Sequence, residues 1–174
     1  MDYTCSMARK VFYSFHYDND IMRVMTVRNR WVTQGGQLAS EVIDRADFEK
    51  IKRTGDSAVK RWIDSQLEGT TVTIVLVGRE TLKRPFVQYE ICKSIERGNT
   101  IIGVHISGIR DARTSRVDIK GNMHEIVGRD KYGYPIYFDN ICEGIYDYST
   151  QDGYNNLGSW VENAYQKKNN RISW

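Results

Sequence analysis

Proline, cysteine and histidine are scarce in this 174-residue chain, numbering two, three and three, and each scarcity narrows what the chain can be. Cys5, Cys92 and Cys142 show no Cys-x-x-Cys spacing, so neither a disulfide framework nor a zinc site is expected. His16, His105 and His124 stand too far apart for a helix-borne metal pair, and the expectation is a protein without a metal. No Gly-x-x-x-x-Gly-Lys-Ser/Thr loop and no Gly-x-Gly-x-x-Gly turn follows a strand, which argues against a P-loop and against a dinucleotide-binding redox fold. A Gly-x-Ser-x-Gly elbow is also missing. No apolar run approaches the roughly 18 residues of a membrane helix. The first ten residues, with Asp2 and Cys5, lack the apolar segment of a signal peptide, so a cytoplasmic location without membrane association is expected. A net charge of +3 is too small a field to imply a nucleic-acid partner. Lys83-Arg84 and the spaced Arg110, Arg113 and Arg116 read as solvated loop charges able to meet a few phosphates.

What is present alternates between strand and helix patterns. Charged residues at 27% and apolar ones at 40% suit a soluble globule, and the length suits one domain, residues 1–174, with a real core. Val11 to Phe15 is a first short strand, followed by Asp18-Asn19-Asp20 as N-capping side chains for a helix to about Thr33. Its expected apolar face is Ile21, Val24, Met25, the Arg28 stem, Trp31 and Val32. Gly35-Gly36 ends it, and Glu41-Val42-Ile43 is a weaker strand candidate before a charged stretch from Asp44 to Arg53. Thr54-Gly55-Asp56 is expected to cap a second helix with Ala58, Val59, Trp62, Ile63 and Leu67 on one face and Gly69 at a left-handed stop.

Val72 to Val77 is a β-branched run of the kind buried on both faces of a parallel sheet. Pro85 then suits the first position of a helix, where its fixed φ and missing N–H cost nothing, and that helix ends at Gly98. A second continuous apolar strand, Thr100 to Ile106, completes a βαβ unit, with the two strands adjacent at the centre of the sheet. Residues 107–134 read as a long polar, irregular loop. Ile136-Tyr137-Phe138 and Ile145 to Tyr148 look like further strand pieces, and Leu157 to Gln166 has helical spacing. The alternation predicts an α/β fold with a doubly wound, mostly parallel sheet and helices on both faces.

In that fold Glu90 falls in the second turn of the helix begun by Pro85, above the carboxyl edge of the sheet where ligands of open α/β folds bind. His16, directly after the first strand, is expected on the same edge. The plainer readings are a solvated Glu90, a hydrogen-bonded core histidine at His105 and a loop-surface His124.

Five segments carry a family resemblance: Lys10-Val11-Phe12-Tyr13-Ser14-Phe15-His16-Tyr17, Arg28-Asn29-Arg30-Trp31, Lys52-Arg53-Thr54-Gly55-Asp56, Tyr89-Glu90-Ile91-Cys92-Lys93-Ser94-Ile95-Glu96 and Gly144-Ile145-Tyr146-Asp147-Tyr148. Together, over nearly the whole chain, they resemble the TIR-like protein of the bacterial Thoeris antiphage system. The resemblance implies a flavodoxin-like, three-layer sandwich and an aromatic-x-x-x-Glu motif whose Glu acts on NAD+, here Phe86-x-x-x-Glu90. Phe86 departs from the family's frequent Trp, keeping a stacking face without the indole donor. It further implies Glu90 as catalytic residue and Phe15, His16 and Phe86 beside the nucleotide, with Asp44 and Phe48 as further contacts. NAD+ would be a substrate rather than a bound cofactor. The product would be a cyclic or modified ADP-ribose second messenger, with an effector protein reached through it, a phage-derived trigger and self-association as implied partners. The same fold also serves as a non-catalytic interaction module, and fold alone does not choose between the two. A flavodoxin-type nucleotide-binding regulator fits less well, because no Thr/Ser-rich phosphate loop follows the first strand.

Overall fold

A computed structural model describes residues 9–33, 37–38 and 45–172. Five parallel strands form the central sheet in the order β2-β1-β3-β4-β7. They are β1 (Lys10–Phe15), β2 (Gln37–Leu38), β3 (Val72–Val77), β4 (Thr100–His105) and β7 (Gly144–Asp147). The helices are α1 (Tyr17–Thr33), α2 (Arg45–Arg53), α3 (Asp56–Leu67), α4 (Pro85–Glu96), α5 (Phe138–Ile141) and α6 (Gly153–Ile172). β3 and β4 pair along their full lengths, Val72 opposite Thr100 through Val77 opposite His105, and every residue of both is buried. This is the central pair expected from their unbroken apolar runs.

Alternation along each strand sorts side chains between the two faces. Val11, Tyr13, Ile74, Leu76, Ile102 and Val104 join a core with Val24, Val27 and Trp31 of α1 and Leu157, Trp160 and Val161 of α6. On the opposite face Val75, Val77 and Ile101 meet Val87 and Ile91 of α4, and Phe12 meets Val59, Ile63 and Leu67 of α3. The result is the three-layer α/β sandwich of the flavodoxin-like type.

Several local expectations are corrected. α1 begins at Tyr17, so Asp18, Asn19 and Asp20 lie inside its first turn instead of before it. Its inner face is Asp20, Arg23, Val24, Val27 and Trp31, while Val32 is 47% exposed. The face is rotated because Arg23 turns inward, bonding the carbonyls of Ile109 and Arg116 and lying 3.6 Å from Asp20. α3 has Gly55 at its N-cap with no side-chain cap, and Thr54 bonds back to Ile51 instead. The charged stretch before it is helix α2. Glu41-Val42-Ile43 lies outside the described residues, and the strand found in this part of the chain is β2.

The loop after β4 is less irregular than its composition suggests. It contains β5 (Ile126–Arg129), which pairs antiparallel with β6 (Pro135–Tyr137) in a separate two-stranded sheet. Asp130 closes this hairpin by accepting from the amides of Tyr132 and Tyr134. Phe138 opens α5 instead of extending the strand, and it packs fully buried on β4 where Gly103 leaves room. α6 runs well beyond the Leu157 to Gln166 spacing at both ends. Among the described residues no helix is long and apolar enough to cross a membrane, and no cluster of three or more His, Cys, Asp or Glu could hold a metal ion.

Candidate active site

α4 starts where Pro85 occupies its first turn, and its inward stripe is Val87, Glu90, Ile91 and Ser94. That is the i, i+3, i+4, i+7 spacing of a face packed on a sheet, with a carboxylate in an apolar stripe. Glu90 is only 9% exposed. Opposite it on β1, Phe12 and Ser14 point toward α3 and α4 while Tyr13 turns to the other face. Ser14 is fully buried and its Oγ donates a short hydrogen bond to Glu90 Oε2.

The backbone of Glu90 is anchored as well. Ser94 Oγ donates to the Glu90 carbonyl at 2.7 Å, which commits the Ser94 proton. Thr73 Oγ1, 2.7 Å from Ser94 Oγ, must then be the donor in that pair. Asn99 Nδ2 donates in turn to Thr73 and Thr70 at 3.2 and 2.9 Å. A line of satisfied polar groups therefore runs down the α4 side of the sheet, fastening the helix segment that carries Glu90 to β3.

Burial pushes the Glu90 carboxyl up to about 8, and the Ser14 hydrogen bond pulls in the opposite direction without overcoming it. A carboxyl that holds its proton close to neutrality can take up or release it at moderate pH.

His16 sits half-buried just past β1, and its Nδ1 has no hydrogen-bond partner among the described residues. Burial lowers its affinity for a proton, followed by the nearby charge of Arg84 at the start of α4; Asp18, Glu80 and Lys52 are the other charged neighbours. These place His16 at the carboxyl edge between the start of α4 and the end of α2. Phe86, one turn before Glu90, is half-buried and packs on the Phe12, Val59, Ile63 and Leu67 cluster beside Ile51, Trp62 and Tyr89. Phe15 packs on the α1 and α6 core and stacks with Tyr17 at 6.1 Å. Its ring is thus on the other side of the sheet from the Glu90 carboxyl. Asp44 lies outside the described residues, and of Phe48 only its backbone place in α2 is described.

The sequence alone does not single out Ser14, although a lone small polar residue among the large side chains of Val11 to Phe15 is the trace it leaves there. His105 is buried as expected, but its Nδ1 has no hydrogen-bond partner among the described residues, and burial lowers it to about 4. His124 is exposed, stacked on Tyr137 at 4.1 Å and paired with Asp139. Cys92 and Cys142 are free thiols, both made less acidic by burial.

Comparison with known proteins identifies the family. The family model of the Thoeris protein ThsB, TIR-like domain, matches residues 12–111, which span β1 through β4 and include Ser14 and Glu90. A protein of Bacillus cereus (strain MSX-D12), provisionally named cyclic ADP-D-ribose synthase ThsB1, is 36% identical over 192 aligned residues, covering 89% of this chain and all of the relative. With a matched family model over more than half its length and a relative aligned end to end, the chain belongs to the TIR-like family of Thoeris ThsB proteins.

Proposed function

We propose that the chain is an antiphage-defence TIR enzyme that cleaves NAD+ at the nicotinamide–ribose bond. The ADP-ribosyl part becomes a cyclic or otherwise modified ADP-ribose, a second messenger read by an effector protein. The observation that carries this reading is the buried Glu90 carboxyl, at the Phe86-x-x-x-Glu90 spacing in α4, bonded to Ser14 next to the carboxyl edge of β1. The name of the Bacillus cereus relative, a cyclic ADP-D-ribose synthase, supports the product class.

The chemistry suits a single carboxylate. When the bond between C1′ of the ribose and the pyridinium nitrogen breaks, its electron pair goes to nitrogen, so nicotinamide leaves neutral and needs no acid. The sugar is left with oxocarbenium-like positive charge. An ionised Glu90 hydrogen-bonded to the ribose hydroxyls stabilises that charge, most strongly where water is excluded. The free enzyme holds this carboxyl mainly protonated at neutral pH, and the cationic nicotinamide ring favours its ionised form on binding. An atom of the same molecule attacking C1′ closes a cyclic product, water gives linear ADP-ribose, and a second small molecule gives a conjugate; a hydroxyl or water nucleophile releases its proton as the new bond forms.

We assign His16 and Phe86 to the border of the nucleotide site, His16 with Arg84 and Lys52 nearby to meet phosphate charge. Phe15 contributes through the backbone that presents His16, and the contacts to the nucleotide that the family resemblance implies for Asp44 and Phe48 remain part of the proposal. A phage-derived trigger and self-association are further parts of the proposal.

The test is mass spectrometry of nicotinamide and ADP-ribose isomers in phage-infected cells carrying the parent or Glu90→Gln, beside the purified protein given NAD+. The parent should yield nicotinamide and a new ADP-ribose species, and Glu90→Gln neither. An infected culture in which the parent consumes no NAD+ and makes no such nucleotide would overturn the reading.

A further inference from the structure

We propose that Ser14 is a positioning residue of this reaction: its hydroxyl holds Oε2 of Glu90 and so aims Oε1 at the ribose. The inference rests on the NAD+-cleaving reading above and goes beyond it, since it names what orients the carboxylate.

Glu90 is fastened at two points. Its main-chain carbonyl is tied through Ser94 and Thr73 to β3, which fixes where the side chain leaves the helix. Its carboxyl is tied to β1 through Ser14, a residue 76 positions away in sequence. A glutamate has three rotatable side-chain bonds, and a buried one with no partner would sample several orientations at a cost in reactive geometry. Of the three β1 side chains on the α3 and α4 face, Lys10 donates to the Glu68 carbonyl at the end of α3, Phe12 has no donor, and Ser14 is the one that reaches Glu90. Ser14 is completely buried, so its hydroxyl is not there for solvation.

A donated hydrogen bond does a second thing, favouring the charged carboxylate against the burial that opposes it. Among the described residues, burial and the Ser14 bond are the two influences on Glu90. Of the charged groups on the packed elements, Asp64 of α3 accepts from Tyr89, Lys60 lies over the Tyr89 ring, Lys93 pairs with Glu96, and Arg84 and Lys52 act on His16. Removing the hydroxyl therefore leaves burial unopposed, and Glu90 becomes harder to ionise. A role in packing alone would not have that consequence.

The experiment compares the parent with Ser14→Ala and Ser14→Cys, the latter keeping a weak donor of similar size. Nicotinamide release is followed in extracts of infected cells from about pH 5.5 to about pH 9.5, spanning the acidity of a buried glutamate, together with melting temperature. With NAD+ kept well below saturation, where the free enzyme's acidity sets the profile, the parent rate should rise through a limb near 8. Ser14→Ala should move that limb to higher pH, lowering release at neutral pH by about tenfold for each unit moved. Release should recover toward the alkaline end without regaining the parent's plateau, because the freed carboxylate is less well aimed, with a melting temperature lowered by only a few degrees for the lost buried bond, and Ser14→Cys should fall between the two. A Ser14→Ala profile within twofold of the parent at every pH, with the limb unmoved, overturns the inference and leaves the NAD+ reading standing. So does a uniform loss at every pH that follows a collapse in melting temperature, which marks Ser14 as structural. A parent that releases no nicotinamide brings down both.

Discussion

The two faces of the central sheet are built from different chemistry. Under α1 and α6 the strands contribute valine, isoleucine and leucine, and the Tyr13 and Tyr148 hydroxyls buried there have no hydrogen-bond partner among the described residues. Under α4 the inner groups include Ser14, Glu90, Thr73, Ser94 and Asn99, each hydrogen-bonded to another of the set. The first face stabilises the fold through apolar burial. The second gives up apolar contact to hold one carboxyl group in place, and it is the face on which the candidate chemistry sits.

That contrast breaks most severely on the apolar side. Ile74→Asp or Val104→Asp would place an unpaired charge at a fully buried position of the α1 and α6 core, at a cost comparable to the whole stability of a domain, about 5 kcal/mol or more. Little soluble protein should be recovered, and normal expression of both variants would contradict the packing described. On the polar side the largest effect is on rate. Glu90→Gln keeps size and most hydrogen-bonding shape while removing charge, and nicotinamide release by activated protein should fall on the order of a hundredfold or more. Turnover within a few-fold of the parent would move the chemistry away from this residue.

The same substitution should sharpen the comparison through stability. A carboxyl group raised to about 8 in the fold and near 4.5 when unfolded makes the unfolded chain the one that loses its proton first. Stability conferred by the fold is therefore fully present below about pH 4.5 and declines as pH rises toward about 8. Thermal melts of the parent across that window should show the decline, worth on the order of 4 to 5 kcal/mol, and Glu90→Gln should remove this part of it. A slope unchanged in Glu90→Gln would mean the carboxyl is less buried than the geometry requires. His105, lowered to about 4 by burial, works in the opposite sense: its contribution is present above its ordinary value and is lost as pH falls toward 4.

Smaller effects separate the faces group by group. Phe86→Ala removes a half-buried ring from the α3 cluster and should cost about 2 kcal/mol, less than the usual price of a fully buried phenylalanine. A melting temperature equal to the parent's would show that the ring is not part of that core. Thr73→Val removes a bonded hydroxyl from the polar line and should cost about 1 to 2 kcal/mol, because Asn99 and Ser94 lose a partner. Tyr13→Phe removes a hydroxyl with no hydrogen-bond partner among the described residues and should be neutral or stabilising by up to about 1 kcal/mol. If chemical denaturation ranked these two the other way round, the distinction between the faces would fail.

Much of the framework was legible along the chain. The β-branched runs of β3 and β4, Pro85 in the first turn of α4, and Gly69 and Gly98 with φ of +73° and +76° at helix ends are short-range features that nearby residues decide. Where expectation and structure part, a distant partner intervenes. The inner face of α1 is rotated by Arg23 reaching loop carbonyls more than 80 residues away. The hairpin inside the stretch 107–134 forms because β5 finds β6 and lays Val127 on α4, an arrangement that polar composition conceals.

The site divides along the same line. By itself the sequence determined that a glutamate stands four residues after an aromatic one, in a helix that follows a buried strand, because helix phase and strand burial are written in local periodicity. Only the tertiary structure decided that Ser14 meets Glu90, that the ring of Phe15 turns to the opposite side of the sheet, and that the carboxyl keeps its proton near neutrality. Acidity depends on what surrounds a group in space, and here the surroundings come from strands and helices that the chain brings together only when it folds.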